Sequence, residues 1–140
     1  MPAQSNDSYA GNVHLAGEFF VAAELAKRGY AVSLTLGPAK AIDICAERGG
    51  RILGVQVKAI RRGTHGWPMP HDPAKIIDGV PFVLVSLNEE HEPVDYFILT
   101  AKQVRAAIQR YDTRAVIRMG KAKPGRSAWR VIDDAMKARR

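Results

Sequence analysis

The sequence predicts an α/β protein, with a central mixed sheet flanked by helices. Three observations carry this. Five strand-like runs lie between a helical segment at 13–28 and another at 101–110. Paired glycines, Gly49-Gly50, join two of these runs as a tight hairpin, because a primed turn needs positive φ. One run, 80–87 (VPFVLVSL), is almost continuously apolar, the pattern of a strand covered on both faces. The chain has 140 residues, which suits one domain spanning 1–140. A domain of this size buries roughly 68–70% of the surface of its unfolded chain, enough for a real core. With 46% hydrophobic and 25% charged residues, extensive disorder is excluded, and the single cysteine, Cys45, excludes a disulfide scaffold.

Residues 1–11 read as a loose lead-in without Lys or Arg, so no secretory signal is expected. Residues 13–28 (VHLAGEFFVAAELAKR) are rich in Ala, Leu and Glu and stop at Gly29, as a helix does. The run 30–36 (YAVSLTL) alternates as a strand and is broken by Gly37-Pro38. The hairpin strands are 41–47 (AIDICAE) and 51–60 (RILGVQVKAI). Residues 61–79, with three prolines and three glycines, read as a long loop in which only 73–78 (PAKIID) suggests a short helix. Strands at 80–87 and 94–99 follow. Thr100 and Gln103 form a capping-box pattern opening a helix at 101–110, and Ser127 is the expected cap of a last helix at 127–138. No apolar stretch approaches the roughly 20 residues that span a bilayer, so no membrane role is expected. A lone thiol and no expected leader point to the cytoplasm.

The net charge of +7 is unevenly placed. Residues 1–113 hold 12 Lys+Arg against 12 Asp+Glu, so the whole excess falls in 114–140. A basic segment of this kind attracts polyanions, although a merely solvated tail is the bland alternative.

The chemistry-bearing residues emerge from face assignments. On a helical wheel Leu15, Phe19, Val21, Ala22, Ala23, Leu25 and Ala26 form one apolar arc, and Glu18 falls inside it. A carboxylate facing a core is costly unless something compensates it. In the hairpin, a two-residue turn sets Arg48 against Arg51 and, counting back, Asp43 against Gln56 with Lys58 diagonal to it. Alternation puts Ile42 and Ile44 on the face opposite Asp43, and Val55, Val57 and Ala59 opposite Gln56 and Lys58. An acid, an amide carbonyl and an ammonium at one place suit a hard cation such as Mg²⁺, which polarises a phosphoryl oxygen and generates hydroxide. A plain Asp43–Lys58 ion pair is the alternative from geometry alone.

Gly17-Glu18 on a first helix, then Ala41-Ile42-Asp43-Ile44, then Val55-Gln56-Val57-Lys58 resembles the PD-(D/E)XK nuclease superfamily, in particular its small Holliday-junction-resolvase-like members. The resemblance covers residues 12–62 and extends loosely to 110. It implies a restriction-endonuclease-like α-β-β-β-α-β core and a metal-dependent endonuclease acting on DNA, including branched or structured DNA. It implies Glu18, Asp43, Gln56 and Lys58 as catalytic residues. Glu18, Asp43, Gln56 and the Val57 main-chain carbonyl would hold Mg²⁺ or Mn²⁺. Arg61, Arg62, Lys121, Lys123 and Arg126 would grip the phosphate backbone. A homodimer is implied by the two symmetric strands of a four-way junction. Two departures stand out: an amide, Gln56, replaces the usual acid, and Ile42 rather than proline precedes Asp43. The lost negative charge leaves a second class of function open, a nuclease-fold protein that binds nucleic acid or a protein partner without cutting. Elsewhere, His65 and His71 lack zinc-ligand spacing, Trp67 is open either to stacking on a base or to lidding the core, and Cys45 and Trp129 read as packing residues.

Overall fold

The computed structural model describes residues 6–35, 41–62 and 65–139. Helix α1 (Asn6–Lys27) leads into β1 (Ala31–Leu34), β2 (Ile44–Arg48) and β3 (Arg51–Ile60). A short β4 (Trp67–Met69) and a 3₁₀ turn (Pro73–Lys75) precede β5 (Phe82–Ser86) and β6 (Asp95–Leu99). The chain closes with α2 (Ala101–Ala107), β7 (Gln109–Arg110), β8 (Ala115–Ile117), α3 (Met119–Ala122), a second 3₁₀ turn (Lys123–Gly125) and α4 (Arg130–Lys137). Among the described residues, no helix is long and apolar enough to cross a membrane.

The main sheet has the order β1-β2-β3-β5-β6. Only β3 and β5 run parallel, and the other neighbours are antiparallel, so the sheet is mixed as expected. Gly49 and Gly50 both take positive φ, and the hairpin register pairs Arg48 with Arg51 and Ile44 with Val55, as the two-residue turn requires. Two cores form, one on each face. Val55, Val57, Val83, Val85 and Ile98 pack against Val21 and Leu25 of α1 and Ile132 and Met136 of α4. Phe82, Leu84, Phe97 and Leu99 pack on the other face against Val104 of α2, Trp67 of β4 and Ile117 of β8. Burial on both faces explains the unbroken apolar run of β5, all five of whose residues are buried.

Several expectations need correction. The first helix starts at Asn6, inside the stretch read as a lead-in, while residues 1–5 and the Gly37-Pro38 break lie outside the described residues. The stretch 61–79 is not a plain loop. Its Trp67–Met69 pairs with β8, which pairs in turn with β7, making a second, three-stranded sheet. The suspected helix at 73–78 is a single 3₁₀ turn capped by the Asp72 side chain. Trp67 is wholly buried, its Nε1–H donating to the Val85 carbonyl at 2.9 Å and its ring tilted against Phe97, so it packs the core and stacks on no base. The capping box of Thr100 and Gln103 forms, but α2 ends at Ala107, because 109–110 is taken up by the second sheet. Ser127 has a positive φ and caps nothing; α4 begins at Arg130. The basic segment 114–140 is no solvated tail, since it supplies Ile117, Trp129, Ile132 and Met136 to the cores.

Candidate metal centre

Helix α1 buries one side of the arc drawn on its wheel and exposes the other. Leu15 and Phe19 are 47% and 56% exposed, whereas Val21 and Leu25 are fully buried. Glu18 lies on the same side as Val21 and Leu25, at the middle of the contact with the sheet rather than at its edge. Gly17 makes that contact close: a Cβ built there would lie 2.5 Å from the Ala59 Cβ on β3. Absence of a side chain at 17 thus lets the helix lie against the strand, and it presents Glu18 directly to the sheet.

Asp43 precedes the first residue of β2, and the chain bends there. Its backbone is held from both sides: its N–H donates to the Val55 carbonyl at 3.1 Å, and its carbonyl accepts from the Thr35 N–H at 3.0 Å. The bend breaks the expected alternation. Ile42 lies over Gly54, on the face of Gln56 and Lys58, while Ile44 is buried on the α1 face. Asp43 therefore does not face Gln56 as the extended register implied. Its carboxylate turns toward α1, and Oδ2 accepts from the Val57 N–H at 2.8 Å.

There it meets Glu18. Both are almost completely buried, at 2% and 3% exposure. Between them stands His14, one helical turn before Glu18, whose Nε2 lies 2.9 Å from Glu18 Oε1 and 3.7 Å from Asp43 Oδ1. Ligand atoms of His14, Glu18 and Asp43 all lie within 4.8 Å of one another. The hydrogen bond to Asp43 holds the His14 pKa above its ordinary value, against the opposing effect of burial, and the charges of Glu18 and Asp43 add to the rise. Burial alone would raise the Asp43 pKa, but the His14 hydrogen bond, the Val57 N–H and the His14 charge together bring it below the usual carboxylate range. Two buried carboxylates this close repel each other unless a positive charge sits with them. A protonated imidazole or a metal ion would offset that repulsion, and His14, Glu18 and Asp43 are a group that could hold such an ion. Sequence reading missed His14; the i, i+4 spacing to Glu18 was the available signal.

Gln56 and Lys58 lie side by side on the other face of β3, with Gln56 buried, and line a cleft of about 690 Å³. The far wall of the cleft is the stretch Pro68–Asp72 with Ala74, Lys75 and Ile77. Lys58 is close enough to His14 for its charge to oppose that group's protonation. The structure therefore gathers Glu18 and Asp43 in one pocket and Gln56 and Lys58 in the adjoining cleft. Of the basic residues singled out, Arg62 pairs with Glu89 and Arg126 with Asp95 (2.9 Å), while Lys121 and Lys123 are exposed.

No family model and no curated protein matches the chain. Among solved structures, it is similar to a bacterial homing endonuclease, with a TM-score of 0.62 and 17% identity over 91% of this chain and 95% of that one. It is also similar to Hjc, a Holliday junction resolvase of the archaeal hyperthermophile Archaeoglobus fulgidus, with a TM-score of 0.53 and 16% identity over 80% of this chain and 88% of that one. The chain therefore shares its fold, the restriction-endonuclease-like one expected above, with these two structures.

Proposed function

We propose that the protein is a divalent-metal-dependent endonuclease that hydrolyses DNA phosphodiester bonds. The observation that carries this reading is the convergence of two buried carboxylates, Glu18 from α1 and Asp43 from the bend before β2, beside a cleft lined by Gln56 and Lys58. Likeness in fold to a homing endonuclease and a junction resolvase supports it.

In this reading Glu18 and Asp43 would hold Mg²⁺ or Mn²⁺, with the Val57 carbonyl as a further oxygen ligand, while Gln56, on the other face of β3, would face the substrate in the cleft instead of the ion. When bound, the ion would polarise a phosphoryl oxygen and lower the pKa of a water molecule. The Val57 N–H fixes the Asp43 carboxylate, leaving Oδ1 directed toward the pocket. Lys58 offsets the charge that develops on the phosphate and orients the attacking water. His14, when protonated, would offset the charge of the carboxylate pair. With two carboxylates in the pocket and an amide at position 56, the site would bind its cation more weakly than one with three carboxylates. Branched DNA as substrate, a homodimer that cuts two symmetric strands, and residence in the cytoplasm, where Cys45 stays reduced, complete the proposal.

The test incubates the purified protein with plasmid and with four-way-junction DNA, with Mg²⁺, Mn²⁺ or EDTA. Metal-dependent cleavage that is lost in Asp43→Ala is expected. Equal background from wild type and Asp43→Ala rejects catalysis. Gln56 in place of an acid favours the second reading, a protein of this fold that binds DNA without cutting it, and metal-indifferent binding with no cleavage would establish that instead. Sedimentation of the protein alone and with junction DNA tests the dimer.

A further inference from the structure

Eight of the thirteen arginines of this protein fall into two groups. Arg28, Arg48, Arg62, Arg105 and Arg126 each pair with a carboxylate: Glu24, Asp133, Glu89, Asp78 and Asp95 respectively. Arg110 and Arg114 on the β7–β8 hairpin, and Arg118 directly after it, do not. Among the described residues their partners are all neutral. Arg110 Nη1 donates to the His71 carbonyl. The Arg114 guanidinium stacks over the Tyr111 ring at 5.0 Å. Arg118 donates from Nε to Gln109 Oε1 at 3.1 Å and from Nη2 to the Tyr111 hydroxyl at 2.8 Å. The hairpin's one acid, Asp112, lies in the turn and makes no ion pair with any of the three. Three guanidinium groups are thus held in fixed directions with their charge uncompensated and donors to spare. Ordering such side chains costs entropy without a compensating ion pair, and an anionic partner would supply what is missing.

Position identifies the partner. His71 lines the cleft opposite Gln56 and Lys58. The same residue is tied to the hairpin twice, through Nε2 to the Tyr111 carbonyl at 2.8 Å and through its own carbonyl to Arg110. The hairpin therefore stands directly behind the far wall of the cleft. We propose that the β7–β8 hairpin is a phosphate-gripping wing, in which Arg110, Arg114 and Arg118 hold the sugar–phosphate backbone of duplex DNA beside the cleft without reading its sequence. The inference rests on the endonuclease reading for its partner and is tested separately from cleavage.

The experiment measures binding of a fluorescent 24-base-pair duplex by anisotropy, in EDTA, across a series of KCl concentrations. It compares wild type, Arg110→Gln/Arg114→Gln/Arg118→Gln, and a charge-matched control, Arg51→Gln/Arg130→Gln/Lys137→Gln. Each lost phosphate contact lowers the slope of log K against log salt by about 0.9, so the wing variant should lose roughly 2.7 from the slope and at least tenfold in affinity at about 0.1 M salt. The control should lose far less. Should the triple variant fail to fold by circular dichroism, Arg114→Gln alone, which removes only a ring contact, should lower the slope by about 0.9. A wing variant that binds like wild type, a control that loses as much, or a wild type that binds no duplex overturns the proposal. Wing-dependent binding by a protein that never cleaves DNA sinks the endonuclease reading and leaves the wing standing.

Discussion

Replacing Gly17 with alanine probes the contact that seats Glu18. The added Cβ would lie 2.5 Å from the Ala59 Cβ, whereas carbon atoms settle at roughly 3.5–4.0 Å. Ala59 is a stub on a central strand and has no flexible end to swing aside, so α1 must move outward by roughly 1 Å. Overpacking of this kind costs about 1–3 kcal/mol. Higher helix propensity returns about 1 kcal/mol. The net change is a destabilisation of about 0–2 kcal/mol, or a Tm lowered by up to roughly 8 °C at about 4 °C per kcal/mol. Gly11, on the same helix, is the control: a Cβ there meets nothing within 4 Å, so Gly11→Ala gains about 1 kcal/mol from propensity alone. Glu18 moves with the helix, and a displacement near 1 Å at a reactive centre costs on the order of 100-fold in turnover. Thermal unfolding, Mn²⁺ titration calorimetry and single-turnover cleavage read the three effects. If Gly17→Ala is as stable as Gly11→Ala and binds Mn²⁺ like wild type, the close approach does not seat the site and the reasoning fails.

Two further outcomes are expected. Asp43→Asn keeps an oxygen that accepts from the Val57 N–H, so the fold should survive, while Mn²⁺ affinity measured by calorimetry falls at least tenfold; unchanged affinity would remove Asp43 from the ligand set. Tyr30 and Tyr96 are pushed up to about 12, chiefly by burial, with the Asp133 hydrogen bond adding to the rise at Tyr30. Both groups favour the protonated form in the folded state, so their contribution is complete below the ordinary tyrosine value near 10 and is lost as pH rises from there to about 12. The Tm should drop across that window, less steeply in Tyr30→Phe, and equal drops in the two proteins would show that Tyr30 is not responsible.

What the sequence decided is local. Paired glycines specified the hairpin and its register, because only a two-residue primed turn suits them. Thr100 and Gln103 specified the start of α2, and the unbroken apolar run specified a strand covered on both faces. The motif residues Glu18, Asp43, Gln56 and Lys58 were legible as types at spacings. Tertiary structure decided which of them meet. The apolar arc of α1 is wider than the contact it makes, so the pattern placed Glu18, Val21 and Leu25 toward the core but did not say that Leu15 and Phe19 stay exposed; the sheet chose the edge of the arc next to His14. A bend at Asp43, imposed by hydrogen bonds to Thr35 and Val55, turned its carboxylate to the α1 face and away from the predicted pairing with Gln56. Residues 115–117 pair with the distant Trp67–Met69 on one side and with 109–110 on the other, a sheet that depends on a segment far away in the chain. Short-range patterns are set by neighbours along the chain, whereas the identity of a face depends on what distant segments bury, and a pocket built from α1, the bend before β2 and β3 is a property of that burial.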